Sequence, residues 1–427
     1  MYLQNISNDF KSLRNGNLNH FFATILICLL PIFIVSSSIL INISITSIAV
    51  LFLFDSIKNK KYEYFNNRIF IFLFVFFIFL IINLFFSINF QNSLQRSIGF
   101  IRFILLATAI SYYFNNNDFK YFQLILIMWT LTFFFISIDL LVEYFNGKNL
   151  FGMSNVFWGR LSGVMNDELK IGGYYLGFYF FVVGACIKTF YKKKYLVLLL
   201  ITTFTLISFL IGERANFVRI LFGIIIFLLF WNQYKYRYKL LIVSIIFILM
   251  TTVINTNKDL NTRFSGQFIT YILENGIVGY YYNSQYGAHY GTSIKIFKNY
   301  PLIGIGIKNF MEECYKDAMQ KYDDKRFLSN LERCSTHPHQ LHLEILSQLG
   351  VFGYAMFLSF FIYFIIRGII IYNKNKNIFH LGALIYIFVT IFLPLPSGSF
   401  FTTYTASIFW INLGLVLAFE NIKLKKS

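Results

Sequence analysis

Continuously apolar runs recur along this chain, at roughly 20–36, 38–54, 68–87, 97–113, 119–143, 171–188, 195–211, 214–231, 238–254, 346–371, 378–393 and 397–419. A helix needs about 20 mostly apolar residues to cross the hydrocarbon core of a bilayer. The runs do not alternate between apolar and polar positions, and they are about twice the length of a barrel strand. The pattern therefore predicts an all-α, polytopic membrane protein of about twelve transmembrane helices. The first run has no small-residue cleavage site behind it and reads as a retained helix.

The pattern breaks once, at length, between the ninth and tenth runs. This gives three regions: helices one to nine in 1–254, a polar segment in 255–344, and helices ten to twelve in 345–427. Stretches such as GTSIKIFKNY and KNFMEECYKDAMQKY within the polar segment predict short amphipathic helices lying on the membrane surface.

Composition agrees: 57% of residues are hydrophobic and 13% charged, against about 25% charged in soluble domains. The net charge of +18 raises the question of a nucleic-acid partner. Its distribution answers otherwise, because residues 255–344 hold ten basic against nine acidic side chains. The excess lies in short loops at one end of the spans: Lys11, Arg14, Lys58, Lys60, Lys61, Arg68, Lys120, Lys188, Lys192 to Lys194, Lys235, Arg237, Lys239, Arg367, Lys374, Lys376, Lys423, Lys425 and Lys426. Basic loops stay inside, so both termini are expected in the cytoplasm. The loop 144–170, the turn at 211–215 and the long segment then share the outer face. No basic helix or finger spacing suggests nucleic acid.

The outer segment concentrates the chemistry, with four of the six histidines and two of the four cysteines. Cys28 and Cys186 fall inside apolar runs and read as packing residues. Cys314 and Cys334 lie where an oxidising compartment would join them, and a disulfide is expected. A zinc site using them with nearby histidines is a weaker alternative, since no CxxC pair supports it.

The densest polar constellation is CSTHPHQLHLEILSQLGVFGY, residues 334–354. Histidine transfers protons near neutral pH. Pro338 disfavours helix at His337, which sets His339 at the start of the next helix with its ring facing the outer surface. A lone boundary histidine usually snorkels or caps a helix; three together favour chemistry. His339 and His342, three apart, would also suit a metal on one helix face, a reading ranked below proton transfer.

Two further features stand out. IGERANFVR, residues 211–219, puts Glu213 and Arg214 at an outer turn, where they would pair, and Arg219 deeper in an apolar helix, where a retained arginine is a functional candidate. NYPLIGIGIKNF, residues 299–310, breaks helix at Pro301, Gly304 and Gly306; it either brings backbone close to a ligand or makes a tight turn. Asp167 and Glu168 precede a span and read as a solvated helix start, and QYGAHY, residues 285–290, offers His289 and tyrosines that could stack on sugars.

Together, the many spans, the Arg-bearing outer turn, the PLIGIG turn and HPHQLHLEILSQLGVFG resemble the O-antigen ligase and O-antigen polymerase superfamily. The two motifs cover about 55 residues, and the hydropathy profile agrees over the whole chain. The resemblance implies His339 as catalytic base or acceptor-orienting residue and Arg214 as a ligand of a lipid diphosphate, with Arg263 and Arg219 in a similar role; His337, Gln340 and His289 join them as candidate substrate contacts. Gln340 stands where the family has Asn, His342 where an aromatic is common, and Gln348 where a Glu is usual.

The activity implied is inverting, metal-independent transfer of a glycan from undecaprenyl diphosphate to the lipid A core of lipopolysaccharide, at the periplasmic face of a bacterial inner membrane and without a cofactor. A polymerase joining repeat units on the same carrier is the alternative. A transporter or flippase is disfavoured by the lack of a duplicated half or of paired Gly/Pro-broken helices.

Overall fold

The computed structural model describes residues 18–115, 121–154, 157–166, 168–231, 235–315 and 333–420. Lys11, Arg14, Lys120, Asp167, Lys423, Lys425, Lys426 and most of the stretch between Cys314 and Cys334 lie outside the described residues. Within them the protein is helical, with one isolated β-bridge between Lys148 and Ser154.

A helix forms on each of the twelve apolar runs. They are α1 (Leu18–Ser36), α2 (Ser38–Lys58), α3 (Arg68–Phe85), the paired α4 (Phe90–Gly99) and α5 (Ile101–Asn115), α6 (Phe122–Asn146), α7 (Ile171–Thr189), α8 (Lys194–Leu210), α9 (Arg214–Phe230) and α10 (Tyr236–Thr256). The intervening segment carries α11 (Lys258–Asn261), a π-helix at Thr262–Thr270, α12 (Tyr271–Asn283), α13 (Gln285–Asn299) and α14 (Phe310–Tyr315). The bundle closes with α15 (Leu341–Asn375), α16 (Ile378–Phe392) and α17 (Thr403–Phe419). Among the described residues eight helices are long and apolar enough to cross a membrane. α8, α9, α16 and α17 are shorter, at 17, 17, 15 and 17 residues.

Length and burial divide the bundle into centre and rim. α5, α7, α16 and α17 lie against one another at the centre. The apolar window of α7 is 89% buried, whereas that of α10, at the rim beside α8, is 11% buried. Rim helices turn apolar side chains outward, as lipid contact requires.

The long helix α15 begins at Leu341, before the expected boundary at 345, and is broken at Gly350. There φ is 65° and ψ −169°, a region that essentially only glycine occupies. A break inside an apolar bundle frees backbone groups that must find partners. The PLIGIG turn supplies partners for four of them. The amides of Val351 and Phe352 donate to the carbonyls of Pro301 and Leu302 at 2.8 and 3.3 Å, and the amides of Ile305 and Gly306 donate to the carbonyls of Ser347 and Gln348 at 3.1 and 2.9 Å. The backbone that the glycines bring close is therefore that of α15. Gln348, standing where a Glu was expected, accepts from the Lys308 amide at 3.0 Å. On its other side the turn is held by Asn83, whose amide donates to the Ile303 carbonyl at 2.7 Å, and by Ser93, which donates to that of Ile307 at 2.8 Å.

A Cβ at position 350 would lie 2.3 Å from the Leu302 carbonyl. Gly350→Ala is expected to lower stability by at least the ~1–3 kcal/mol of the backbone conformation alone, read as a fall in melting temperature and yield of purified protein. Gly99→Ala, where nothing lies within 4 Å, should leave both unchanged.

Candidate functional site

The chain enters α15 through a short irregular stretch that fixes His339 by its backbone. Pro338 holds the bond before it, and His339 itself takes φ 55°, a left-handed conformation that histidine adopts more readily than most residues. Its carbonyl accepts from the Ser397 amide at 2.8 Å. The next residue, Gln340, caps the helix: its side-chain oxygen accepts from the Leu343 amide at 2.7 Å. That commits Gln340 to the fold rather than to substrate, contrary to expectation.

Three rings gather around His339: His337 at 4.0 Å, His289 at 5.3 Å and Tyr286 edge-on at 5.9 Å between centroids. Its Nε2 lies 3.1 Å from the Ser335 hydroxyl. Burial, and secondarily the neighbouring His289, pushes the imidazole of His339 down to about 4; burial and His339 push His337 to about 3. Both are neutral at pH 7, the form that accepts a proton. The His337 Nε2 is buried with no hydrogen-bond partner among the described residues. His289 is buried and contacts the Arg333 carbonyl at 3.2 Å through Nδ1, so it backs the cluster. His342 belongs elsewhere. Its ring bridges the Ile391 carbonyl at 2.7 Å and the Tyr354 hydroxyl at 3.2 Å, and because His339 lies outside the helix the i, i+3 metal pairing does not form.

Tyr286 also neighbours Arg263, which belongs to a group of arginines. Arg214, first residue of α9, donates to the Arg263 carbonyl at 3.1 Å, and the Arg263 Nε donates to the Gly212 carbonyl at 2.6 Å. Burial, with Arg160 and Arg214 beside it, lowers Arg263 to about 10. Glu213 does not pair with Arg214 as expected. It faces Arg160 at 3.4 Å while accepting from Asn216 at 2.6 Å and the Gly172 amide at 3.2 Å; burial raises its carboxyl despite Arg160. Of the three guanidinium groups gathered here the Glu213 carboxylate faces one, that of Arg160, an arrangement suited to binding an anion.

Arg219 is anchored within the fold. Its two terminal nitrogens donate to the carbonyls of Leu395 and Pro396 at 3.0 and 2.9 Å, and it is buried. It grips the loop between α16 and α17, which in turn holds His339 through Ser397. Glu344, not singled out in the sequence, grips the same loop from α15 by accepting from the Ser399 hydroxyl and from the Phe400 amide at 2.9 Å. Arg160 was also missed. The signal for both was available: an arginine in the outer loop already assigned to the face of Arg214, and a carboxylate in the first turn after the histidines. Glu168 pairs with Lys170 at 2.7 Å in solvent, the bland reading.

Cys314 and Cys334 are joined by a disulfide with 5.6 Å between Cα atoms. It ties α14 to the strand of chain that leads into the histidines. For a closure of this length the expected stabilisation is about 3 kcal/mol. Thiol labelling of Cys314 and Cys334 should be blocked until reductant is added, and Cys314→Ser should lower the melting temperature; free labelling under oxidising conditions would remove the bond.

The family described as O-antigen ligase matches residues 195–358, from α8 to beyond the break in α15. The matched region holds Arg214, Arg219, Arg263, His289, both cysteines and His337 to Gln340, and leaves out Arg160. No curated protein matches the chain. The matched stretch is similar to the O-antigen ligase family, in agreement with the resemblance carried by the Arg-bearing turn, the PLIGIG turn and the histidine motif.

Proposed function

We propose that this protein is an O-antigen ligase-type glycosyltransferase that moves a glycan from undecaprenyl diphosphate to the lipid A core of lipopolysaccharide, at the periplasmic face of the inner membrane. The observation that carries the reading is that Tyr286 has beside it both a half-buried, neutral His339 and Arg263, the latter grouped with Arg160 and Arg214. The distribution of Lys and Arg over the short loops supports the outward placement of the site.

The chemistry follows from that arrangement. His339 takes the proton of the acceptor hydroxyl as its oxygen attacks the anomeric carbon. The bond from that carbon to the diphosphate breaks, and the electron pair leaves with the phosphate oxygen. Guanidinium groups fixed by backbone carbonyls stabilise the growing negative charge without reorganising. Attack from the face opposite the leaving group inverts the anomeric centre. The arginines supply the positive charge for which other sites use a cation.

Base catalysis needs the unprotonated imidazole, so activity is retained above the pKa of His339 and lost as pH falls through it. kcat/KM is expected to stay level from about pH 8 to well below 6 and to drop towards 4; a midpoint near 6.5 would remove His339 as the base. His339→Ala should lower transfer by about 10²–10⁴-fold and Arg214→Ala by about 10²–10³-fold, with protein abundance unchanged. In a strain lacking the protein, long glycan should accumulate on undecaprenyl while the lipid A core stays bare. Single repeats on the core would assign the polymerase activity instead.

A further inference from the structure

The segment that supplies Arg263 continues, without a turn to the bundle, into a strip of exposed apolar side chains. Arg263 sits in the π-helix Thr262–Thr270, and neither that helix nor α12 after it has a buried residue. Phe264 anchors the near end, with its ring 4.5 Å from Phe209. Beyond it, Phe268, Ile269, Leu273, Ile277 and Val278 are exposed, Leu273 at 80% and Ile277 at 75%. The strip starts at the arginines: the Arg214 guanidinium lies over the Phe268 ring, 5.9 Å from its centroid. α12 is interrupted at Gly276, with φ 71° and ψ 172°, which turns the later part so that Tyr280 meets both Phe268 and Tyr271, at 5.6 and 6.1 Å.

Beyond the Phe264 anchor, the apolar side chains of this strip are not packed into the core among the described residues. A π-helix is rare, and where it occurs it is frequently at a functional site; here it displaces Arg263 towards Arg214 while leaving its apolar residues uncovered. Leaving large apolar side chains exposed beside clustered cations makes sense for one kind of ligand, which carries both a polyanionic head and a long hydrocarbon tail.

We propose that residues 264–278 are the binding track for the isoprenoid chain of the lipid diphosphate, entered at Phe268 with the diphosphate on Arg214 and Arg263. The inference rests on the glycosyltransfer reading for the identity of the head group, and it moves the tail from the spanning helices to the π-helix and α12. The head is fixed by charge-assisted hydrogen bonds, and the first isoprene units lie against Phe268 and Ile269. Later units pass over Leu273, Ile277 and Val278. Each unit adds buried apolar area, so affinity grows with chain length until the track ends.

The test uses the full-length protein in nanodiscs with a photoreactive amino acid at position 277. The probes are undecaprenyl diphosphate and geranyl diphosphate, offered in an excess of phospholipid. The expected result is a crosslink to undecaprenyl diphosphate that geranyl diphosphate competes for at least tenfold less well and that Arg214→Ala reduces at least tenfold. In parallel, Leu273→Gln with Ile277→Gln should raise KM for an undecaprenyl-linked donor about tenfold, leaving kcat and the KM for a geranyl-linked donor within twofold. Crosslinking to bulk phospholipid only, or an equal change of KM for both donors, overturns the track. A chain-length-dependent crosslink without transfer of any glycan supports the track while removing the glycosyltransfer reading.

Discussion

A charged side chain inside an apolar bundle has no water to fall back on, and Arg219 and Glu344 meet that constraint by gripping the same loop. Arg219 takes the carbonyls of Leu395 and Pro396; Glu344 takes a hydroxyl and an amide at Ser399 and Phe400. The sequence PLPSGS makes this possible, since proline ends the helix and leaves carbonyls unclaimed. With the loop fixed between two helices, the Ser397 amide is presented to the His339 carbonyl. The His339 ring is thus located by a chain of bonds running from α9 and α15 through this loop. Removing either side chain leaves the loop groups it bonds without that partner in a buried place, which is destabilising.

The electrostatics of the two halves complement each other. Histidines in a buried cluster lower one another and stay neutral, while arginines beside one another remain charged and repel. Glu213 offsets one of three guanidinium groups. The remaining positive charge sits at the surface end of α9, whose N-terminus adds its own partial positive charge. An anion entering this place is attracted by the arginines.

Periodicity made the helices legible, because uninterrupted apolar runs of spanning length have few other outcomes in water or lipid. It also located the histidine constellation at a helix start, since Pro338 restricts what precedes it. Partner assignments were less legible. Arg219 looked functional because a charge in an apolar run demands a reason, and the reason was a loop about 180 residues later in sequence. Gln340 read as a contact residue because of its place in a motif, while its capping geometry depends on φ and ψ that no pattern displays. The glycines of PLIGIG signalled close backbone approach correctly; what they approach is set by the break at Gly350, on another element. Arg160 escaped because the loop that carries it has no periodicity to mark it.

The break in α15 has a mechanical side. Residues 341–349 are bonded to the PLIGIG turn and, through it, to α3 and α4, while residues 351–375 form the membrane-embedded remainder. A continuous rod of 35 residues would carry every tilt of its far end to the histidine at its tip. Interrupted at Gly350 and clamped on both sides of the interruption, the rod becomes a short fixed bracket joined to a longer arm. The arm is held separately at its far end, where Tyr372 donates to the Phe230 carbonyl and Asn375 to the Phe419 carbonyl, so the bracket that carries His339 has anchors of its own.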